Sequence, residues 1–194
     1  MTEDIKKAVA AGKLTAAAGA ALARLAPGTF VQHKSWGYGA IVAHDFLLSQ
    51  TVINFKSKKG HSMQLIYAAE SLTPLPSDHI AARKYQNVEG VRKMAQSDPS
   101  GLVRIVLESL GGQATQDQIT SQLVPDVFAE AGFKKWWEGA KKAMKADPLV
   151  GVPQKKGDPY ILRAQGLSQT EELLASFNAA RTLKDQIVAL DNLT

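Results

Sequence analysis

The chain has 194 residues, of which 45% are hydrophobic and 21% charged, with 23 basic and 18 acidic side chains and no cysteine. This length allows one large domain or two small ones with modest cores, and the composition is that of an ordinary soluble globular protein. The missing cysteines exclude disulfides, thiolate metal sites and thiol nucleophiles; with no signal-peptide pattern in MTEDIKKAVAAGKL and no membrane-length apolar run, the expected setting is the cytoplasm.

Residues 1–27 are alanine-rich and read as an N-terminal helical segment, with Gly12 as a stop, Thr15 as the cap of a second short helix, and Pro27 with Gly28 as its end. From Thr29 the pattern turns to β. TFVQH, GAIVAHD, QTVINF and HSMQLI are short apolar-polar runs separated by WGYG, FLLS and KSKKG. Four short strands are too few for a sandwich and predict a small SH3-like barrel over residues 28–76, closed by Pro74, Leu75 and Pro76. Residues 77–98 are polar with helical character and read as a connector ending at the breaker Ser97, Asp98, Pro99.

Residues 99–165 then give a helix, a Gly111-Gly112 turn, a helix capped by Thr115, a break at Val124 and Pro125, and a long basic helix. Two apolar runs, LVGVP and PYILR, follow with a basic glycine-containing tip between them. Three helices and a hairpin in that order predict a winged helix. Residues 167–194 start with a capping box, Ser168 and Glu171, and read as one amphipathic helix along Leu173, Leu174, Phe177, Ala180, Leu183, Ile187 and Leu190. It is expected to pack back on the chain or on a downstream domain.

The basic helix, FKKWWEGAKKAMK, separates two faces. Helical periodicity groups Lys134, Lys135, Lys141, Lys142 and Lys145 on one side and Phe133, Trp136, Trp137, Ala140 and Met144 on the other. Between residues 133 and 163 there are eight basic residues, with Lys155, Lys156 and Arg163 beside the five lysines, against Glu138, Asp147 and Asp158. That local excess equals the +5 of the entire chain, so the remainder is balanced. Locality of charge is what a polyanion-binding surface needs. Lys134, Lys135, Lys141, Lys142, Lys145, Lys155 and Lys156 are the candidate nucleic-acid contacts; a solvated helix face is the bland alternative. The face offers no Arg, Asn or Gln to read base edges, so binding without sequence preference is expected. Trp136 and Trp137 fall on the opposite arc, as core anchors rather than stacking platforms.

A second candidate surface is Trp36 and Tyr38, in the glycine-containing turn WGYG, with the basic tip Lys56, Lys58 and Lys59. Turn and core chemistry explain the aromatics without any partner, and a solvated turn explains the lysines; a protein-binding groove is the functional alternative. His33, His44, His61 and His79 have no metal-ligand spacing, and no nucleophile-base or phosphate-loop motif occurs. No cofactor, small-molecule substrate, membrane or enzymatic activity is expected.

The opening His33, Trp36, Gly37, Gly39, Ile41, followed by Val52, Phe55 and Leu75, fits H-x-x-[FW]-G-x-G-x-[IV] and resembles the Tudor or SH3-like module at the C-termini of UvrD/PcrA-type helicases and in CarD-type transcription regulators. Such modules dock on RNA polymerase. With the FKKWW helix and the VPQKKGDPYILR wing behind it, the arrangement over residues 27–163 resembles the long N-terminal extension of Gre-type transcript cleavage factors. The acidic coiled-coil tip by which Gre factors hold magnesium in the polymerase has no counterpart here, so cleavage stimulation is not implied. The resemblance implies a non-catalytic accessory module that binds RNA polymerase or another transcription protein, with DNA or RNA as a further partner. A protein-protein adaptor with no nucleic acid is the alternative.

Overall fold

A computed structural model describes residues 2–155 and 157–164, and the chain divides into two units, Met1–Glu89 and Gly90–Thr194. Lys156 and the amphipathic segment 167–194 lie outside the described residues.

The first unit opens with α1 (Glu3–Ala10) and α2 (Ala16–Leu22); the Thr15 hydroxyl accepts the Ala18 amide at 3.1 Å and so starts α2. β1 (Phe30–His33), β2 (Gly37–Asp45), β3 (Gln50–Phe55) and β4 (His61–Gln64) form an antiparallel meander. It is followed by α3 (Leu65–Ser71) and β5 (Thr73–Leu75). The strand order is β4-β3-β2-β1-β5, with β5 antiparallel to β1 through Phe30 and Leu75. β4 and β5 are thus the two edges of an open sheet, and the SH3-like barrel expected from the sequence does not close. Alternation decides the buried face: Thr51, Ile53 and Phe55 of β3 point inward. Ile53 and Phe55 belong to one buried cluster with Ile5, Leu14, Leu22 and Leu25, so the N-terminal helical segment and the sheet share one core.

One expectation changes here, and one gains detail. The period-two pattern of HSMQLI predicts a strand, but only its first four residues form one; Leu65 begins α3, whose Leu65 and Ala68 are buried three residues apart, as a helix requires. The connector of residues 77–98 is α4 (Ile80–Ser97), interrupted at Asn87 by φ −156° and ψ 83°. Before the interruption, Ile80, Ala81 and Ala82 are buried; after it, Val91 and Ala95 are.

The second unit contains α5 (Pro99–Ser109), β6 (Gln113–Ala114), α6 (Gln116–Leu123), α7 (Glu130–Ala146), β7 (Val150–Gly151) and β8 (Tyr160–Leu162). Asp98 caps α5 by accepting the Gly101 amide at 2.8 Å, with Pro99 in the first turn. Thr115 and Gln118 form a capping box on α6. The three short strands make an antiparallel sheet in the order β6-β8-β7. Three helices with a strand between the first two and a terminal hairpin are the order expected of a winged helix. The fold is therefore α+β throughout. Leu102, Val106, Leu107, Ile119 and Leu123 are fully buried, together with the inner face of α7.

Candidate functional site

The inner face of α7 is Phe133, Trp137, Ala140 and Met144, all buried at helical spacing. Trp137 stacks on Phe133 with ring centroids 5.4 Å apart and meets Tyr160 edge-on at the same separation. Trp136 is half-buried; its Nε1 donates to the Ala95 carbonyl at 2.6 Å and its ring lies 4.7 Å from that of Phe128. Both indoles are engaged within the protein, so neither is a free platform for a base.

Because that face is apolar, the opposite one is left to solvent. Helical geometry of 3.6 residues per turn spreads the five lysines of α7 over an arc of about 120°. Lys134, Lys135, Lys142 and Lys145 are exposed, and among the described residues no carboxylate pairs with any of them. Lys141 is different. It is half-buried, and its Nζ lies 2.9 Å from Glu138 Oε1. Glu138 falls near the middle of the lysine arc, a residue that the selection of lysines alone passes over. Its spacing, four after Lys134 and three before Lys141, is the signal that identifies it. Burial raises the Tyr160 hydroxyl above its usual range, with Lys141 lowering and Glu138 raising it, so this pair stands beside the start of β8. Lys155 is exposed between β7 and β8. Among the described residues, α7 therefore carries four ammonium groups without a carboxylate partner, and the segment between β7 and β8 carries Lys155.

In the first unit the β1–β2 and β3–β4 turns lie at the same end of the meander. The Lys56 amide donates to the Tyr38 carbonyl at 3.0 Å, and Ser57 Oγ reaches the Trp36 carbonyl at 3.4 Å. Trp36, Tyr38, Lys56, Lys58 and Lys59 are thereby brought together. Trp36 is half-buried, its ring 6.2 Å from Phe55 and 4.5 Å from His61. Lys58 Nζ stands 5.2 Å from the Trp36 centroid, and Lys56 Nζ 5.8 Å from that of Tyr38. Two residues of α4 that no local motif marks complete the group. Lys84 Nζ is 4.9 Å from the Tyr38 centroid; Tyr85 takes Lys59 Nζ at 4.8 Å from its ring and 3.4 Å from its hydroxyl.

The glycines of WGYG have separate reasons. Gly37 has φ +72°, a region closed to most side chains, while a Cβ on Gly39 would lie 2.6 Å from the Asn54 carbonyl oxygen and 2.8 Å from Phe55 Cα. His61 is shifted below its usual range by burial and then by Lys58 and His33, and His44 by burial, offset in part by its bond to the Leu25 carbonyl. Among the described residues no group of three or more His, Asp or Glu is arranged to hold a metal ion, and no helix is long and apolar enough to cross a membrane.

Residues 81–167 match the family described as the GRAD helix-turn-helix domain. The chain is 28% identical over 172 residues to the transcription elongation factor GreA of Chlamydia trachomatis, covering 88% of this chain and 24% of that protein. It is 33% identical over 150 residues to the GreA of Chlamydia pneumoniae, covering 75% of this chain and 20% of the relative. A putative GreA-associated domains protein of Treponema pallidum is 25% identical over 167 residues, covering 84% of this chain and 25% of that protein. No solved structure matches. The chain spans about a fifth to a quarter of the length of these relatives, and the matches fit the N-terminal extension of Gre factors that the sequence suggested.

Proposed function

We propose that the chain is a non-catalytic, cytoplasmic transcription accessory module. Its second unit meets nucleic-acid phosphates through the α7 lysines with Lys155 and Lys156 of the hairpin. Its first unit meets RNA polymerase or another transcription protein through the face of Trp36, Tyr38, Lys56, Lys58 and Lys59. The observation that carries the proposal is the row of exposed, unpaired lysines on the last helix of a helix-turn-helix domain. In such domains that helix is the one applied to the duplex.

Chemistry narrows the mode of binding. Lysine ammonium groups pair with phosphates as point charges, whereas bases are read by Arg, Asn and Gln, none of which occurs in α7. Affinity is then electrostatic, tolerant of sequence and steeply dependent on salt. The relatives' name, transcription elongation factor, supports the process but not a catalytic step, because this chain matches only a fraction of their length.

Glu138 favours a rival reading, a protein adaptor, since it neutralises Lys141 and sets an exposed carboxylate, which repels phosphate, within the lysine arc. The variant K134E/K135E/K142E/K145E separates them. Loss of duplex retention at low salt is expected; unchanged retention, or none in the parent chain, would leave the ridge a solvated surface.

A further inference from the structure

The turn end of the first unit carries a second concentration of positive charge, built unlike the ridge. Residues 28–64 contain four lysines and one carboxylate, Asp45. Asp45 ends β2 at its far end, roughly 25 Å from Gly37 at the usual rise of an extended strand. Its Oδ1 already accepts the amides of Leu47 and Leu48, each at 2.9 Å. No carboxylate among the described residues pairs with Lys58 or Lys59.

These two ammonium groups are held in place all the same. The Trp36 ring positions Lys58 and the ring and hydroxyl of Tyr85 position Lys59, while Phe55 and His61 support Trp36 and Phe30 supports Tyr85 with centroids 6.0 Å apart. A lysine free in solvent loses rotamer entropy when it is captured; one laid along an aromatic face has lost part of it on folding, which favours whatever binds next. Lys58 and Lys59 are thus positioned cations that no carboxylate among the described residues neutralises.

We infer that this face binds a carboxylate-rich polypeptide, an extended run of aspartate and glutamate on a partner protein. The inference rests on the reading of the first unit as a protein-contact surface and names the chemistry of that contact. Single-stranded nucleic acid fits less well, because its affinity for such surfaces comes largely from bases stacked on open aromatic faces. Here Trp36, Tyr38 and Tyr85 each already hold an ammonium group.

The test is a titration of the full ¹⁵N-labelled chain at low salt with decaglutamate, decaglutamine and a thymidine decanucleotide. Decaglutamate is expected to shift the amides of residues 56–61 and the Trp36 indole, and decaglutamine to leave them unmoved. K58Q/K59Q should weaken the decaglutamate response at least tenfold, whereas K58R/K59R, which keeps both charge and stacking, should retain it. Shifts confined to α7, unchanged affinity in K58Q/K59Q, or displacement of decaglutamate from residues 56–61 by the thymidine strand would overturn the inference. Duplex DNA added to the same sample reports on residues 134–145, so phosphate binding by the ridge and peptide binding by the turn face can fail separately.

Discussion

His33 caps the turn that carries Trp36: its Nδ1 accepts the Trp36 amide at 3.2 Å and the Ser35 amide at 3.1 Å. An accepting Nδ1 carries no proton, so Nε2 bears it, facing the Tyr67 hydroxyl at 3.5 Å. This explains physically why a histidine stands three residues before the tryptophan. His33→Ala leaves two amides without an acceptor in a part-buried turn and should lower stability by about 1–3 kcal/mol. His33→Asn, whose side-chain oxygen can accept, should recover part of it; urea denaturation of the two variants makes the comparison.

Gly39→Ala should be more damaging. The added methyl group would meet the backbone of β3, and a backbone cannot step aside as a side chain can. A loss of about 2–4 kcal/mol is expected, as in overpacked cores, while Gly132→Ala, with open space at its Cβ, should be neutral or stabilising by up to about 1 kcal/mol. Thermal denaturation of the two variants tests the contrast.

Much of this was readable in the chain. The two faces of α7 follow from helical spacing alone, and the Thr15 and Thr115 caps stand where short polar residues precede helical runs. Other features had no local signal. In HSMQLI the apolar residues suit a period of two as well as one of 3.6, so the change from β4 to α3 at Leu65 was hidden. Lys84 and Tyr85 join the turn face from α4 only through the tertiary fold. Glu138 was visible in the sequence and counts in the local charge, but a net charge does not show that it sits within the lysine arc and pairs with Lys141.

Trp136 ties α7 to the Ala95 carbonyl. Trp136→Phe keeps most of the ring and removes the donor, leaving that carbonyl unsatisfied, at a cost of about 1–2 kcal/mol. Duplex affinity at a temperature where the variant is fully folded should be unchanged, since the indole faces away from the ridge; filter binding beside a denaturation curve checks both halves.

Acid should destabilise the first unit. His44 donates from Nε2 to the Leu25 carbonyl at 2.7 Å, and its Nδ1 is buried with no partner, so a second proton would place a charge out of solvent. Burial lowers its folded pKa, so the unfolded chain takes up a proton first. The stabilising contribution is full above the unfolded value near 6.5 and is lost as pH falls below it toward the folded value. His44→Gln retains a donor and does not titrate. The fall in melting temperature from pH 7 to pH 5 should be smaller in His44→Gln than in the parent chain.

The most direct measurement of phosphate binding by the ridge is the affinity of the full chain for a random-sequence duplex as monovalent salt rises. Lys134, Lys135, Lys142 and Lys145 on α7 and Lys155 after β7 have no carboxylate partner among the described residues. Five phosphate contacts predict a log-log slope of about −4 to −5 between roughly 50 and 200 mM salt. Charge reversal at the four α7 positions should flatten it toward zero. A slope near zero in the parent chain, or one that survives the reversal, would contradict the ridge as the nucleic-acid surface.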